Sequence, residues 1–160
     1  MLNDHLNGYN FEFVPTPLAV GGGVGLYIKD NLKYSILEQK STCVFQALWI
    51  EIHLPNKKNI ICRIVYRQHN SPESFLEYFN EALDKFTLRN RPTYILGDFN
   101  INLLNSETCD FAHEFLTSLQ SYFFTPTIDK PIDKSTIRRL LLLTIYLLTF
   151  PRMSVLVVGM

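Results

Sequence analysis

Asp98 and Asn100 are the residues whose type and spacing could do chemistry. They follow an apolar run, residues 93–96 (TYIL), across Gly97 in the stretch RPTYILGDFNINLL. In an extended chain, side chains two residues apart project to the same side, so the acid and the amide would point into one space. A carboxylate there can orient or deprotonate water, or help to hold a divalent cation. An amide can donate a hydrogen bond to a phosphoryl oxygen, and phosphodiester hydrolysis needs both. Asp98 and Asn100 are therefore candidate catalytic residues, with Asp98 the candidate metal ligand of an incomplete site. A polar turn closing a strand gives the same letters with no chemistry, so the pair does not decide by itself.

The other reactive side chains do not converge. His5, His53, His69 and His113 lack spaced partners, whereas metal sites need convergent sets. Cys43, Cys62 and Cys109 are odd in number and never spaced as CxxC, which reads as isolated core thiols of a reducing compartment. The glycines at 21–23 precede a strand rather than a Lys-Ser/Thr pair and a helix, so they read as a turn and not as a phosphate loop. With 15 basic and 15 acidic residues, no summed positive field draws in polyanions. Nucleic-acid binding would fall to local charges such as Lys57, Lys58, Arg63 and Arg67, or to a bound cation.

The elements that must position Asp98 and Asn100 follow from periodicity. A chain of 160 residues, 47% hydrophobic and 19% charged, is long and apolar enough for one core and unlike a disordered segment. Residues 9–13 (YNFEF) alternate as a half-buried strand before Pro15 and Pro17, and residues 24–28 form another. Residues 45–54 and 60–66 are β-rich runs joined by Pro55-Asn56-Lys57-Lys58-Asn59, hence an antiparallel hairpin. Ile50, Ile52 and Leu54 alternate there with Glu51 and His53, which predicts one inner and one wet face. Ser71-Pro72 has the form of a helix start. Phe75, Leu76, Phe79, Leu83 and Phe86 then make an apolar stripe, with Glu77, Glu81 and Lys85 outside. Residues 93–96 read as a strand buried on both faces. A second amphipathic helix carries Phe111, Phe115, Leu119 and Tyr122 and runs to about Phe124. No internal repeat is present, and the order of strands, helix, strand, helix predicts sheet layers flanked by helices.

Three segments, GGGVGLYIKDNL, ALWIEIHLPNKKNIICRIVYRQHNSPESFLEYFNEAL and YILGDFNINLL, occur in an order and spacing that resembles the endonuclease/exonuclease/phosphatase family. The branch most resembled is the endonuclease domain of LINE-type retrotransposons without long terminal repeats, and the resemblance covers about residues 6–135. It implies an α/β fold, here an incomplete four-layered α/β sandwich: two mostly antiparallel sheets packed face to face, helices outside. It also implies Mg²⁺-assisted nicking of DNA, with DNA as the partner and no small-molecule cofactor. Asp98 would match the aspartate that aligns the attacking water, and Asn100 the asparagine that contacts the scissile phosphate. Tyr66, in IVYRQHN, stands where the family places an active-site tyrosine. An aromatic residue capping a strand would look the same.

The family pattern also contains an asparagine and a metal-binding glutamate on earlier strands, and a further aspartate and an Asp-His pair on later ones. MLNDHLNGYNFEF resembles the segment just behind that glutamate, and without its carboxylate Mg²⁺ binds poorly. The expectation is a partial domain, inactive or weakly active, over residues 1–135, followed by an apolar tail, residues 136–160. Where relatives carry a strand of the type TLIDNIFTN, residues 140–150 read LLLLTIYLLTF. Codons exist for this segment that give TLIDNIFTN in another frame, so the tail reads as frameshifted and foreign to the family. Two other functional classes stay open: a non-catalytic nucleic-acid-binding fragment and a small membrane-anchored protein. The tail is shorter than the ~20 apolar residues of a spanning helix and is interrupted by Pro151-Arg152, which disfavours the anchor. MLNDHLNGYN has no charged region followed by an apolar run, so a nuclear or cytoplasmic location is expected rather than secretion.

Overall fold

The structure, a computed structural model, describes residues 6–17, 22–69, 74–87, 91–124, 145–150 and 153–158, the last two as strand backbone. Two strands, β1 (Tyr9–Pro15) and β2 (Gly23–Lys29), pair antiparallel. Next, β3 (Lys33–Ser41), β4 (Phe45–His53) and β5 (Ile60–Arg67) form an antiparallel meander. Helix α1 (Ser74–Thr87) crosses over to β6 (Thr93–Asp98), which pairs with β5 in parallel. A parallel pair requires such a crossover. A short 3₁₀ turn (Leu103–Asn105) leads into α2 (Asp110–Ser121). The hairpin β7 (Ile145–Phe150) and β8 (Met153–Val158) joins the first pair, with β8 parallel to β2. The sheets are thus β1-β2-β8-β7 and β3-β4-β5-β6.

The two sheets face each other across a dry core. Val14, Val24, Leu26 and Ile28 of the first meet Leu48, Ile50, Ile52, Cys62 and Ile64 of the second. On its other face the second sheet offers Phe45, Ala47 and Val65 to Phe75, Leu76, Phe79 and Leu83 of α1 and Phe115 and Leu119 of α2. The expected α/β sandwich is therefore present as sheet, sheet and helices, three of its four layers. Both helices described lie on the second sheet.

Several local expectations change. The wet face of β4 does not exist, because α1 covers it and Glu51 is buried along with Ala47 and Trp49. An alternating pattern shows two faces but not which is covered by a helix later in the chain. Residues 93–96 are not buried on both faces: β6 is the last strand of its sheet, and Tyr94 is 49% exposed. Of the cysteines only Cys62 is a core thiol, pushed up to about 12 by burial, while Cys43 and Cys109 are exposed. Strand β3 had no sequence signal; α2 ends at Ser121, before Phe124. Ser71-Pro72 and His5 lie outside the described residues. The tail residues 145–150 and 153–158 are strands of the first sheet, and among the described residues no helix is long and apolar enough to cross a membrane.

A buried cation lies between the sheet and α1. Arg63 of β5 is fully buried, its Cζ 4.5 Å from the ring centre of Trp49, 5.2 Å from Tyr78 and 4.7 Å from Phe79. Aromatic faces are the partners a planar guanidinium can keep without water. Burial depresses its pKa to about 10, against the opposing pull of Tyr78 and Glu38. A register shift between Ile36 and Glu38 lets Glu38 accept hydrogen bonds from Tyr78 Oη at 2.6 Å and Lys85 Nζ at 3.1 Å. Leu37 packs beside Trp49 on that same side, as expected of a bulge, where one strand presents two residues against one.

Candidate functional site

At one end of the second sheet the register lines up four polar residues, one per strand. Ser41 pairs with Gln46, Gln46 with Tyr66, and Tyr66 with Asp98. Cross-strand partners share a face, and Tyr66 packs against the inter-sheet core, so the row looks inward at the mouth of the sandwich. Gln46 is fully buried. Its Nε2 donates to Thr42 O at 2.7 Å, and its Oε1 accepts from Thr16 Oγ1 at 3.4 Å. Ser41 Oγ donates to Pro15 O at 2.5 Å. The end of β1 is thereby tied to the row.

Gln46 was missed from sequence, and a signal was available. It has the same parity as Leu48, Ile50 and Ile52, so a polar residue stood in the inner-face pattern of an otherwise apolar strand. A buried amide survives there because both its donor and its acceptor find partners.

Asp98 and Asn100 lie at the same end of the sheet, but not on an extended chain. Gly97 has φ 140°, and an added Cβ would sit 1.8 Å from Val65 O, so β6 meets β5 here as only glycine allows. Asn100 is left-handed, φ 49°. The exposed Asp98 accepts the Asn100 N–H on Oδ1 at 3.0 Å, an Asx turn. Asn100 Nδ2 donates to Arg67 O at 2.6 Å, and Arg67 Nη1 returns bonds to Phe99 O and Asn100 O at 3.2 Å each. Phe99 between them is held by Phe75, Phe79 and Phe115. Tyr66 and Asp98 are thus brought side by side, while the Asn100 amide is engaged by the β5 backbone instead of sharing one open space with the Asp98 carboxylate.

The charges considered for nucleic acid separate into two kinds. Arg63 and Arg67 are buried, the latter with Cζ 4.5 Å from the ring centre of Phe111 and its pKa lowered by burial. Neither presents its charge to a polyanion, which corrects that expectation. Lys57 and Lys58 are exposed, on the β4–β5 turn at the far end of the sheet from Asp98. His53 is bonded to Ser35 and Asn59 rather than free in solvent; His69 and His113 are exposed.

A hard divalent cation needs several oxygen ligands. Among the described residues no group of three His, Cys, Asp or Glu could hold a metal. Asp98 supplies one carboxylate, with one oxygen already accepting a backbone N–H. These residues alone do not fit Mg²⁺. No family model matches the chain, and no curated protein matches it.

Proposed function

We propose that the chain carries part of a phosphodiesterase domain of the endonuclease/exonuclease/phosphatase kind, from the LINE-type branch that nicks DNA, and that alone it hydrolyses DNA very slowly or not at all. The observation that supports this reading is the register placing Tyr66 beside Asp98 on the inward row at the mouth of a two-sheet sandwich, with Asn100 at the same strand end. An acid beside a phenol at a sheet end suits a phosphate that enters between the sheets, where Asp98 would orient water and Tyr66 donate to a phosphate oxygen. For Asn100 to contact phosphate, its amide must leave Arg67 O.

The test is nicking of supercoiled plasmid with Mg²⁺ at protein equal to or above plasmid concentration. The expected result is no nicking, or a slow rate that Asp98→Ala and Asn100→Ala both remove. Nicking that survives both substitutions would overturn the assigned site. The flanking genomic DNA tests the family reading: a glutamate-bearing strand upstream and a reverse-transcriptase frame downstream are expected, and flanks with neither count against it. A second reading, a non-catalytic nucleic-acid-binding fragment, rests on the exposed Lys57 and Lys58. It predicts salt-sensitive DNA association lost when both become alanine, with no cleavage.

A further inference from the structure

His53 lies at the opposite end of the second sheet from Asp98, in a series of hydrogen bonds that the proposed phosphodiester site does not use. Its Nε2 is 2.8 Å from Ser35 Oγ on β3, and its Nδ1 is 3.0 Å from Asn59 Nδ2. The same Nδ2 donates to Glu51 Oε1 at 2.8 Å, an oxygen that also accepts from Arg91 Nη1. Asn59 Oδ1 accepts the Leu54 N–H at 3.4 Å, across the β4–β5 turn.

Serine, histidine, amide and carboxylate in series suggest a nucleophile with its base, but the proton positions exclude it. An ionised carboxylate only accepts, so the Asn59 group against Glu51 is the NH₂. The Leu54 N–H on the other side requires the oxygen there, so the amide orientation is fixed from two directions. One N–H of Asn59 then points at His53 Nδ1, which must accept it. The neutral ring therefore carries its proton on Nε2 and donates to Ser35 Oγ. A ring that donates to a hydroxyl cannot also take that hydroxyl's proton.

We infer that this series is a proton-sensitive latch on the β4–β5 turn, in which protonation of His53 at Nδ1 releases Asn59 and with it the side-chain tie across the turn to the Leu54 N–H. The incoming proton meets an N–H where the neutral ring had a lone pair. Turning the amide over to offer Oδ1 would set oxygen against the Glu51 carboxylate and strip the acceptor from Leu54 N–H. Of the charged groups on the neighbouring elements, Lys33 is its register partner on β3, Glu51 on its own strand shares Asn59 with it, Lys57 and Lys58 lie exposed in the turn, and Arg91, ahead of β6, is bonded to Glu51. The mismatch at Nδ1 gives the latch its sense.

The test is a pH titration of the full chain by NMR, reading the imidazole nitrogens, the Asn59 side-chain NH₂ and exchange of the Leu54 amide. Expected are the Nε2–H tautomer in the neutral form and, in step with His53 titration, loss of the distinct Asn59 NH₂ signals and of Leu54 protection. Asn59→Ala should uncouple Leu54 exchange from that titration. An Nδ1–H tautomer, or Asn59 and Leu54 signals unmoved through the titration, overturns the inference. Should Asn59→Ala fail to fold, the unsubstituted chain decides alone.

Discussion

Two residues of the second sheet are open to direct test by substitution. Gly97 is the point where β6 crosses over the Val65 carbonyl, with φ 140°. Gly97→Ala must either shift the strand or leave a strained residue, a cost on the order of 1–3 kcal/mol. Urea unfolding is expected to show it as a lowered midpoint with unchanged slope. Arg63 is a different case. Its guanidinium nitrogens have no hydrogen-bond partner among the described residues, and rings hold it on three sides. Replacing a buried charge by an apolar side chain of similar volume is often neutral or stabilising. Arg63→Met should therefore unfold at or above the unsubstituted chain. Arg63→Ala, which leaves a cavity beside Trp49, Tyr78 and Phe79, should lose about 2–5 kcal/mol. If Arg63→Met proves as damaging as Arg63→Ala, the cation itself holds α1 down.

At the scale of elements, the turn between β4 and β5 and the approach to β6 are fastened through Glu51. Burial disfavours its charged form, but hydrogen bonds from Asn59 and Arg91, with the charge of Arg91, outweigh burial and hold the carboxyl below its ordinary value. The sign follows: a carboxyl lowered by folding adds stability that is complete above the ordinary carboxylate range. That stability is lost as pH falls through the depressed value. Arg91→Ala should cost about 1–3 kcal/mol at neutral pH and move the acid-unfolding midpoint, followed by circular dichroism, upward in pH. An unchanged midpoint would show that the pair contributes nothing.

These elements also show what sequence can carry. The hairpin of β4 and β5 and the stripes of α1 and α2 were legible, because a period of two or 3.6 residues is written locally. Strand β3 was not, because the bulge at Ile36–Glu38 breaks its alternation and much of it is exposed. The covered face of β4 depends on α1 arriving from beyond β5, which no window on β4 contains. In the candidate site, Asp98 and Asn100 were singled out by type and spacing and Tyr66 by resemblance, while the left-handed turn that redirects Asn100 depends on Arg67, 33 residues earlier.

At the scale of the whole molecule, the sandwich depends on how β2 is flanked. Its neighbours are β1 on one side and β8 on the other, so deleting residues 138–160 leaves GVGLYIK with a bare row of backbone donors and acceptors. Such edges recruit other chains. Light scattering of the shortened chain should show concentration-dependent association that the full chain lacks; a monomer at every concentration would mean that β8 is dispensable to the first sheet.

The order of synthesis gives the same pairing a temporal side. Every strand partner of β3, β4 and β5 has been made once β6 is complete, whereas β2 waits for β8, which begins only at Met153. Long-range pairings of this kind form slowly. During translation the second sheet and its helices can settle early, while the β1–β2 hairpin stays half-paired until β8 has left the ribosome. Chaperones and proteases therefore meet this protein chiefly through its β1–β2 hairpin, and its survival in a cell turns on how quickly β8 finds it.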